Sequence, residues 1–286
     1  MNRIIRKKVL NPTVTQMEVE APLISRKAKP GQFIILRADE DSERIPLTIA
    51  GTDAEEGSVK IIFQTVGAST LALSRKEAGE YIHDFAGPLG KPTETEGLHR
   101  VCVVGGGVGC AIALPVAEEF HRLGAEVTGI VGFRTKDLVI LEEEFHSCCD
   151  ELVLMSDDGT YGRQGNVTVP LKEMLEGGRQ FDMIIAIGPL VMMKYTVLTA
   201  KPYGIPVTVS MNPIMIDGTG MCGCCRVTLV KDGKRTMKFA CVDGPDFDGY
   251  EIDFDEAMIR SRIYAAQERR AYDHACHLLE AERRPD

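Results

Sequence analysis

The stretch VVGGGVGCAIALPVA, residues 103–117, constrains the fold of this 286-residue chain more than any other segment. Its unbroken apolar run predicts a buried strand, and residues 108–123 have the apolar spacing of a helix. The glycines between them permit a tight turn in which the first N–H groups of the helix face a bound pyrophosphate. The spacing lacks the third glycine of a full G-x-G-x-x-G motif, so an ordinary turn between strand and helix is the alternative. The candidate phosphate-binding residues are Gly105, Gly106, Gly107 and Gly109.

The strand patterns AEVTGIVGFR, DELVLMSDD and FDMIIAIG follow this turn and alternate with helical patterns. This alternation predicts a doubly wound parallel sheet over residues 98–210. Ligands bind to such sheets at the carboxyl ends of the strands. The residues at these strand ends are therefore candidates for dinucleotide contacts, namely Arg134, Asp157, Asp158, Gly188 and Pro189. For Asp158, a solvated loop without a ligand is an equally good interpretation.

The first 97 residues are predicted to be mainly β. Short runs that alternate apolar and polar residues, separated by Pro and Gly, predict a small antiparallel barrel or sandwich. One helical pattern, ASTLALSRKEAG, interrupts these strands. Gly67, Ser69 and Thr70 lie at its start, where backbone and hydroxyl groups are able to bind a diphosphate. Alternatively, Ser69 or Thr70 is a plain N-cap, and the spacing alone favours that interpretation.

The loop DGTGMCGCC, residues 217–225, places three cysteines within four residues of a chain that shows no secretory signal. Together with Cys241, the loop has the spacing of the plant-type C-x4-C-x2-C…C cluster motif, with an aspartate in place of the first cysteine. The spacing favours an iron–sulfur site whose ligands are Asp217, Cys222, Cys225 and Cys241. A four-ligand zinc site is the alternative, although zinc sites more often have two close pairs of ligands. Cys224 lies between two proposed ligands and is not required as one.

The C-terminal part differs again in character. Two short strands with a Lys-Asp-Gly-Lys turn are predicted after the cysteine loop. Residues 254–284 then have one long, charged helical pattern with a narrow apolar stripe. The stripe consists of Phe254, Met258, Ile259, Ile263, Tyr264, Ala271, Ala275, Leu278 and Leu279. We interpret the remaining cysteines as packed or free thiols, namely Cys102, Cys110, Cys148, Cys149 and Cys276.

Composition and charge limit the classes of function. The formal net charge is −9 at pH 7 and the basic residues are dispersed, so nucleic acid is not expected as the main partner. No apolar run is long enough for a membrane span, and the start MNRIIRKKVL lacks the apolar region of a signal peptide. We therefore expect a cytoplasmic protein.

Three motifs together resemble the ferredoxin–NADP reductase superfamily over essentially the whole chain. They are RIPLTIA with VGASTLAL, then VVGGGVG, then DGTGMCGCC with a distant cysteine. Within the superfamily, the chain is similar to electron-transfer subunits of two kinds: those of dihydroorotate dehydrogenase, and the small subunits of NADH-dependent reduced ferredoxin:NADP oxidoreductase. In the second kind, three cysteines and one aspartate hold a [2Fe–2S] cluster, which implies that Asp217 is the fourth ligand here.

The resemblance also implies roles for residues in the other two motifs. Arg44, Pro46, Leu47 and Thr48 match the strand that lies along the flavin. Gly67, Ser69 and Thr70 match the diphosphate clamp, and the glycine turn matches the nicotinamide dinucleotide loop. Arg134 is at a position where a ribose or phosphate contact is common. The flavin motif usually has an aromatic residue and a serine where this chain has Leu47 and Thr48.

The implied architecture is β plus α/β, in four units. These are an antiparallel FAD-binding barrel (1–97), a doubly wound NAD(P)-binding sheet (98–210), a small [2Fe–2S] subdomain (211–249) and a C-terminal helix (250–286). The implied function is an electron-transfer subunit that exchanges hydride between NAD(H) and FAD and passes single electrons through the cluster. The cofactors supply the chemistry, so no acid–base pair of the protein is expected.

The implied partner is a larger, glutamate-synthase-like subunit with flavin and [4Fe–4S] clusters, in an electron-bifurcating enzyme that uses ferredoxin indirectly. Arg134 and Lys136 favour NADP(H) at the dinucleotide site, whereas the resemblance implies NAD(H), and we follow the resemblance. Two alternatives are kept: the electron-transfer subunit of dihydroorotate dehydrogenase, against which Asp217 counts, and a zinc-stabilised binding module without enzymatic activity.

Overall fold

The N-terminal part of the chain forms a nearly closed antiparallel barrel of seven strands. The computed structural model describes the backbone of residues 1–282 and the side chains of residues 1–276. The elements of this part are β1 (Asn2–Asn11), β2 (Val14–Glu20), α1 (Pro22–Ser25), β3 (Phe33–Arg37), β4 (Ile45–Asp53), β5 (Ser58–Gln64), α2 (Ala68–Arg75), β6 (Tyr81–Ile82) and β7 (Asp84–Leu89). The strand order is β6-β1-β2-β5-β4-β3-β7. Alternating burial along most of β2 agrees with the alternating sequence pattern that predicted it.

The second part is a parallel sheet with helices on both faces. Its elements are β8 (Arg100–Gly106), α3 (Cys110–Arg122), β9 (Glu126–Phe133), α4 (Glu142–Cys148), β10 (Glu151–Ser156), β11 (Arg163–Gln164), α5 (Thr168–Glu176), β12 (Met183–Ile187), α6 (Leu190–Ala200) and β13 (Val207–Ser210). The strands are parallel in the order β11-β10-β9-β8-β12-β13. Helices α3 and α4 pack on one face, and α5 and α6 on the other. The direction of winding reverses between β8 and β12, which is where ligands bind to such sheets.

The third part of the chain, residues 226–282, packs against both the barrel and the parallel sheet. Its elements are β14 (Arg226–Lys231), β15 (Lys234–Phe239), α7 (Ala240–Asp243), β16 (Asp246–Asp248), α8 (Phe254–Arg260) and α9 (Ala265–Glu282). The predicted hairpin is present as β14 and β15. Strand β16 pairs antiparallel with β13 and so extends the parallel sheet. Cys225 and Cys241 belong to the same apolar core as Phe33 of the barrel and Val207 of the sheet. The cysteine segment therefore does not have a core of its own.

The prediction of a single C-terminal helix is wrong. Residues 250–253 are not helical, and a turn at residues 261–264 separates α8 from α9. Helix α8 is fixed at its start, because Phe254 is buried and the Asp253 carboxylate accepts a hydrogen bond from the Glu256 amide at 2.9 Å. Helix α9 instead contacts α2 of the barrel. One straight helix cannot make both contacts, and no glycine or proline marks the break.

Most of the predicted stripe on this segment is not a buried face. Ile259, Ile263 and Tyr264 are 69%, 54% and 54% exposed. The side chains of Leu278 and Leu279 and the predicted helix end at Arg284 lie outside the described residues. Within the part of the chain that is described, no helix has both the length and the apolar composition needed to cross a bilayer.

Candidate cofactor and cluster site

A cleft of about 840 Å³ lies where the three parts of the chain meet. The barrel contributes residues 45–48 of β4 together with Phe33, which pairs with Thr48 across the two strands. The parallel sheet contributes residues 106–109 and the ends of its strands. Residues 210–212 and Pro245 close the third side. The volume is within the usual range of pockets for small molecules and cofactors.

The glycine turn follows β8 directly, at the point where the winding of the sheet reverses. Gly107 has a φ of 56°, in the left-handed region that glycine adopts without strain. Gly109 has an ordinary helical φ of −59°, but a Cβ there would lie 2.5 Å from the carbonyl oxygen of Ile187. The absence of a side chain therefore lets the start of α3 approach the end of β12. The first N–H groups of α3 are then available to an anion in the cleft.

Most of the predicted cofactor-binding residues line this cleft. They are Pro46, Leu47, Thr48, Thr70, Gly106, Gly107, Gly109, Arg134, Asp157, Gly188 and Pro189. The structure does not bring five others to the cleft wall, namely Arg44, Gly67, Ser69, Gly105 and Asp158. Gly105 is buried within β8, where a Cβ would lie 2.9 Å from the sulfur of Cys110. This glycine therefore serves the packing of α3 on the sheet.

The hydroxyl groups at the start of α2 already have protein partners. Thr70 Oγ1 accepts hydrogen bonds from the amides of Val66 and Gly67, at 3.0 and 3.1 Å, and donates one to the Gly67 carbonyl. Ser69 Oγ donates to the Glu43 carboxylate at 3.2 Å. Thr70 thus closes the loop before the helix from the third position of α2, whereas Gly67 is the N-cap, so the expectation that Ser69 or Thr70 is the N-cap is wrong. A diphosphate at this point would be bound mainly by backbone N–H groups.

The two aspartates after β10 have different environments. Asp158 Oδ1 accepts hydrogen bonds from the amide and the hydroxyl of Thr160, at 3.0 and 2.7 Å, and these bonds lower the pKa of its carboxyl group. Asp158 therefore stabilises its own loop, in agreement with the interpretation without a ligand. Asp157 lines the cleft together with the exposed Arg134. Lys136 is held elsewhere, with its ammonium group 5.3 Å from the centre of the Tyr161 ring.

The cysteine loop brings Asp217 next to Cys222. The amide of Cys222 donates to Asp217 Oδ1 at 3.3 Å, and the amides of Thr219 and Met221 donate to Oδ2 at 3.1 and 3.2 Å. The Thr219 hydroxyl also donates to Oδ2. Hydrogen bonds from the Cys222 and Thr219 side chains are the main cause that holds the pKa of Asp217 well below its usual range. The carboxylate is thus fixed in its anionic form beside an exposed cysteine.

A second pair of thiols lies deeper. The sulfurs of Cys225 and Cys241 are 3.3 Å apart, and both residues are buried. Two thiolates on one tetrahedral metal with metal–sulfur distances of about 2.3 Å lie about 3.8 Å apart. Burial and the Cys225 thiol raise the pKa of Cys241 to about 12. Burial and the neighbouring Cys222 thiol also raise the pKa of Cys224.

The donor set fits a two-iron cluster better than a single metal ion. Among the described residues, no three histidine, cysteine, aspartate or glutamate side chains converge on one point. The candidate ligands instead form two neighbouring pairs, Asp217 with Cys222 and Cys225 with Cys241. Two pairs in one loop region are what a cluster with two tetrahedral metal positions requires.

The loop is also seated against the barrel. Gly218 has a φ of 77°, and a Cβ there would lie 2.7 Å from Cδ1 of both Ile35 and Leu89. Ile35 belongs to β3, two residues after Phe33 in the cleft wall. The candidate cluster loop and the cleft therefore lie on the same part of the barrel, which is the arrangement that electron transfer between two cofactors needs.

Sequence reasoning missed several residues of the cleft wall. Phe33 was not recognised, although it is the first residue of an apolar strand, and Met211, Asn212, Met215 and Pro245 were assigned to the cluster segment only. A signal existed for Asn212, since Asn212-Pro213 directly follows the end of a parallel strand. Pro245 had no such signal, because it reaches the cleft through the pairing of β16 with β13.

Comparison with known proteins agrees with an iron–sulfur site in the cysteine segment. Residues 212–253 match the model of the iron–sulfur cluster binding domain of dihydroorotate dehydrogenase B. A Thermotoga maritima protein, described as a homolog of the electron transfer subunit of dihydroorotate dehydrogenase B (NAD(+)), is 44% identical, with 96% of this chain and 95% of that protein covered. The electron transfer subunit of dihydroorotate dehydrogenase B (NAD(+)) from Desulforamulus reducens is 30% identical, with 88% and 99% covered.

A solved structure is similar over nearly the whole length. It is the small subunit of the NADH-dependent reduced ferredoxin-NADP oxidoreductase, determined in work on flavin-based electron bifurcation. The TM-score is 0.89 at 41% identity, and 96% of this chain and 97% of that chain are covered. The chain described here belongs to the family of electron-transfer subunits of the dihydroorotate dehydrogenase B type.

Family membership confirms several predictions made from the sequence. The fold class is confirmed, as is the assignment to oxidoreductase subunits that work with FAD, an iron–sulfur cluster and NAD(H). The match of residues 212–253 to an iron–sulfur domain also decides against the zinc-stabilised module. The relatives are electron-transfer subunits of larger enzymes, which is consistent with a larger partner subunit for this chain.

Proposed function

We propose that this chain is the small subunit of an electron-bifurcating enzyme of the NADH-dependent reduced ferredoxin:NADP oxidoreductase type. The chain exchanges hydride between NAD(H) and FAD, and electrons pass singly through a [2Fe–2S] cluster to or from a larger subunit. The observation that carries the proposal is the cleft of about 840 Å³, which joins the barrel, the glycine turn and the segment that leads into the cysteine loop. FAD supplies the conversion between two-electron and one-electron transfer when it is bound.

The barrel side of the cleft is assigned to FAD. Pro46, Leu47 and Thr48 of β4 line the wall, and β4 is hydrogen-bonded to β3, which carries Phe33. The first turn of α2 lies at the same wall through Thr70, and its backbone N–H groups would bind the diphosphate. Arg44 precedes β4 and is exposed, so its role is restricted to the periphery of the site.

The sheet side of the cleft is assigned to NAD(H). Gly106, Gly107 and Gly109 would let the pyrophosphate approach the start of α3. An acidic residue near the ribose favours the free 2′-hydroxyl of NAD over the 2′-phosphate of NADP. Asp157 lines the cleft, whereas Lys136 lies over the Tyr161 ring. Among the described residues that line the cleft, Arg134 is the only lysine or arginine, and it is assigned to a pyrophosphate contact.

The cluster ligands are assigned in pairs. Asp217 and Cys222 would share one iron, and Cys225 and Cys241 the other, because these are the neighbours in the structure. Cys224 would not ligate. A carboxylate ligand is harder than a thiolate, and the amides and hydroxyl bound to Asp217 would tune the cluster further.

The cluster assignment is tested with matched variants. The Cys224→Ser chain should keep about two irons, the number in this cluster type. Asp217→Ala should lose iron or leave a cluster with altered absorbance and electron paramagnetic resonance spectra. Anaerobic addition of NADH to the wild type should bleach the flavin and then produce the spectrum of a reduced cluster. If Cys224→Ser loses the iron while Asp217→Ala keeps it, the ligand assignment is wrong.

The partner is proposed to be a larger, glutamate-synthase-like flavoprotein with [4Fe–4S] clusters, through which ferredoxin is used indirectly. Helix α9 is proposed as part of the docking surface. All of residues 265–271 are exposed in the isolated chain, and Ile263 and Tyr264 just before them are also largely exposed. The first seven residues of this helix therefore have a surface available to another protein.

A truncation after Tyr264 removes α9 and leaves α8 in place. The truncated chain should keep its flavin and cluster but lose affinity for the larger subunit in co-purification. Unchanged affinity would exclude docking through α9. Loss of both cofactors would show instead that α9 belongs to the core of this subunit.

The electron-transfer subunit of a dihydroorotate dehydrogenase is the second candidate. The curated relatives and the model of residues 212–253 favour it by name. Asp217 counts against it, because that subunit has a cysteine at the first position of the C-x4-C-x2-C…C cluster motif, where this chain has the aspartate. Co-purification with a dihydroorotate dehydrogenase, in place of a glutamate-synthase-like flavoprotein, would establish this alternative.

A further inference from the structure

The Asp246 side chain lies where all parts of the chain converge. It is the first residue of β16 and pairs with Ser210 of β13. Thr93, in the connection between the barrel and the sheet, donates its hydroxyl to Asp246 Oδ2 at 2.6 Å. The amide of Thr93 is bound in turn to the carbonyl of Pro30 in the barrel. One carboxyl group thus connects the barrel, the linker, the sheet and the segment that follows Cys241.

The other carboxyl oxygen has no such partner. Asp246 as a residue keeps some exposure, but its Oδ1 is shielded from solvent and has no hydrogen-bond partner among the described residues. A buried, unpaired carboxylate oxygen is costly, and the cost is smaller when the carboxyl group is protonated, because no charge is then buried. Ser210, the residue paired with Asp246 across the two strands, lines the cleft.

Burial is the dominant cause that raises the pKa of Asp246, and the hydrogen bond from Thr93 opposes it only in part. Charges on the adjoining segments do not contribute to this shift in the described part of the chain. The titratable groups on those segments are Lys29 of the barrel, Lys91 and Glu94 of the linker, and Asp243 and Asp248 on either side of Asp246.

We propose that Asp246 is a positioning residue whose protonated carboxyl group fixes the barrel against the sheet and the cluster segment across the cleft. The neutral group accepts from the Thr93 hydroxyl with one oxygen and carries no charge on the unpaired one. Ionisation would place an uncompensated charge at this junction and weaken it. This inference rests on the proposed function in one respect: the two parts that Asp246 holds together are named after the flavin and the cluster.

The sign of the pH dependence follows from linkage. Because folding raises the pKa of Asp246, this group binds more protons in the folded chain than in the unfolded chain at pH values between its unfolded pKa, about 4, and its folded pKa. The stability that this group contributes is complete below its unfolded pKa and is lost as the pH rises through its folded pKa. Asp246→Asn keeps a neutral hydrogen-bonding group of the same shape and removes the ionisation. The variant should therefore lose less stability than the wild type as the pH rises.

The test is thermal unfolding of the full-length chain between pH 5 and pH 9, with FAD content measured after gel filtration at each pH. The melting temperature of the wild type should fall relative to Asp246→Asn by several degrees as the pH rises, on the order of 5 °C. FAD should be released from the wild type at a lower pH than from the variant. The exposed Asp248 on the same strand supplies the control, and Asp248→Asn should follow the wild type.

Parallel pH profiles for the wild type and Asp246→Asn would overturn the proposal. If Asp246→Asn does not fold, infrared difference spectra of the wild type decide the matter, because a protonated carboxyl group gives a C=O band that disappears on ionisation. Absence of such a band between pH 5 and pH 9 would also overturn it. A chain that binds no FAD at any pH would instead contradict the proposed function, while the unfolding profiles would still test the junction.

Discussion

Replacement of Gly218 by alanine should loosen the cluster loop from the barrel. The left-handed φ of 77° at this position costs an alanine about 1–2 kcal/mol. The added Cβ would also lie 2.7 Å from Cδ1 of Ile35 and of Leu89. Overpacking costs about 1–3 kcal/mol in general. Since both atoms are the ends of side chains, we expect the low end, about 1 kcal/mol, in addition to the backbone strain.

Gly233 provides a matched control in the hairpin turn between β14 and β15. Its φ is 76°, but no atom lies within 4 Å of the position of an added Cβ. Gly233→Ala therefore carries the backbone strain without the contact. About 1 kcal/mol lowers the melting temperature of a domain of 150–250 residues by roughly 2–4 °C. Gly218→Ala should accordingly melt about 2–4 °C below Gly233→Ala.

The assay is thermal unfolding of the full-length chain, together with iron content after purification under identical conditions. Gly218→Ala should also retain less iron, because the loop that carries Asp217 and Cys222 is displaced from its support. Gly233→Ala should retain the iron of the wild type. Equal melting temperatures and equal iron contents for the two variants would refute the inference that the loop is seated on the barrel.

Three further predictions concern the parallel sheet. Gly109→Ala should weaken dinucleotide binding about tenfold or more, as measured by titration with NADH, because the Cβ would meet the backbone of Ile187, and a cost of 1.4 kcal/mol is a factor of ten. Stopped-flow reduction of the flavin should be faster with NADH than with NADPH, and Asp157→Ser should narrow that preference, whereas Asp158→Ser should not. Asp182→Ala should destabilise the chain by about 1–3 kcal/mol at pH 7, because the carboxylate accepts two amide hydrogen bonds at 2.8 Å that lower its pKa. In urea unfolding, that difference should begin to shrink as the pH falls below the unfolded pKa of about 4, and it should be lost as the pH falls through the lower pKa of the folded state.

Local patterns predicted the elements of the fold well where the physical cause is local. The apolar run before Gly105 became a central strand, and the hairpin around Asp232-Gly233 formed at a turn whose residues both have positive φ. The pairing of β16 with β13 joins residues about 40 positions apart in the chain, which no local pattern records. The continuity of the cluster segment with the sheet was therefore not predictable.

The same distinction applies to the site. Residues at the carboxyl ends of parallel strands were predicted as candidates for dinucleotide contacts, and the topology brings Gly106, Asp157 and Gly188 to the same cleft. The hydroxyl groups of Ser69 and Thr70 were identified as possible ligand contacts, but their side chains are bound to Glu43 and to the local backbone. Hydrogen bonds within a loop use the same residue types as ligand binding, so the sequence does not separate the two.

The break between α8 and α9 has a consequence for how a partner would bind. Helix α8 is tied to the cluster segment by Phe254 and by the ion pair of Arg235 with Asp253 at 2.9 Å. Helix α9 leaves that segment and contacts α2, the helix at the side of the cleft that we propose for FAD. A protein that docks on α9 would therefore touch elements connected to both cofactors. Within the chain, these two sides are connected by the hydrogen bond of Thr93 to Asp246 and by the close approach of Gly218 to the barrel.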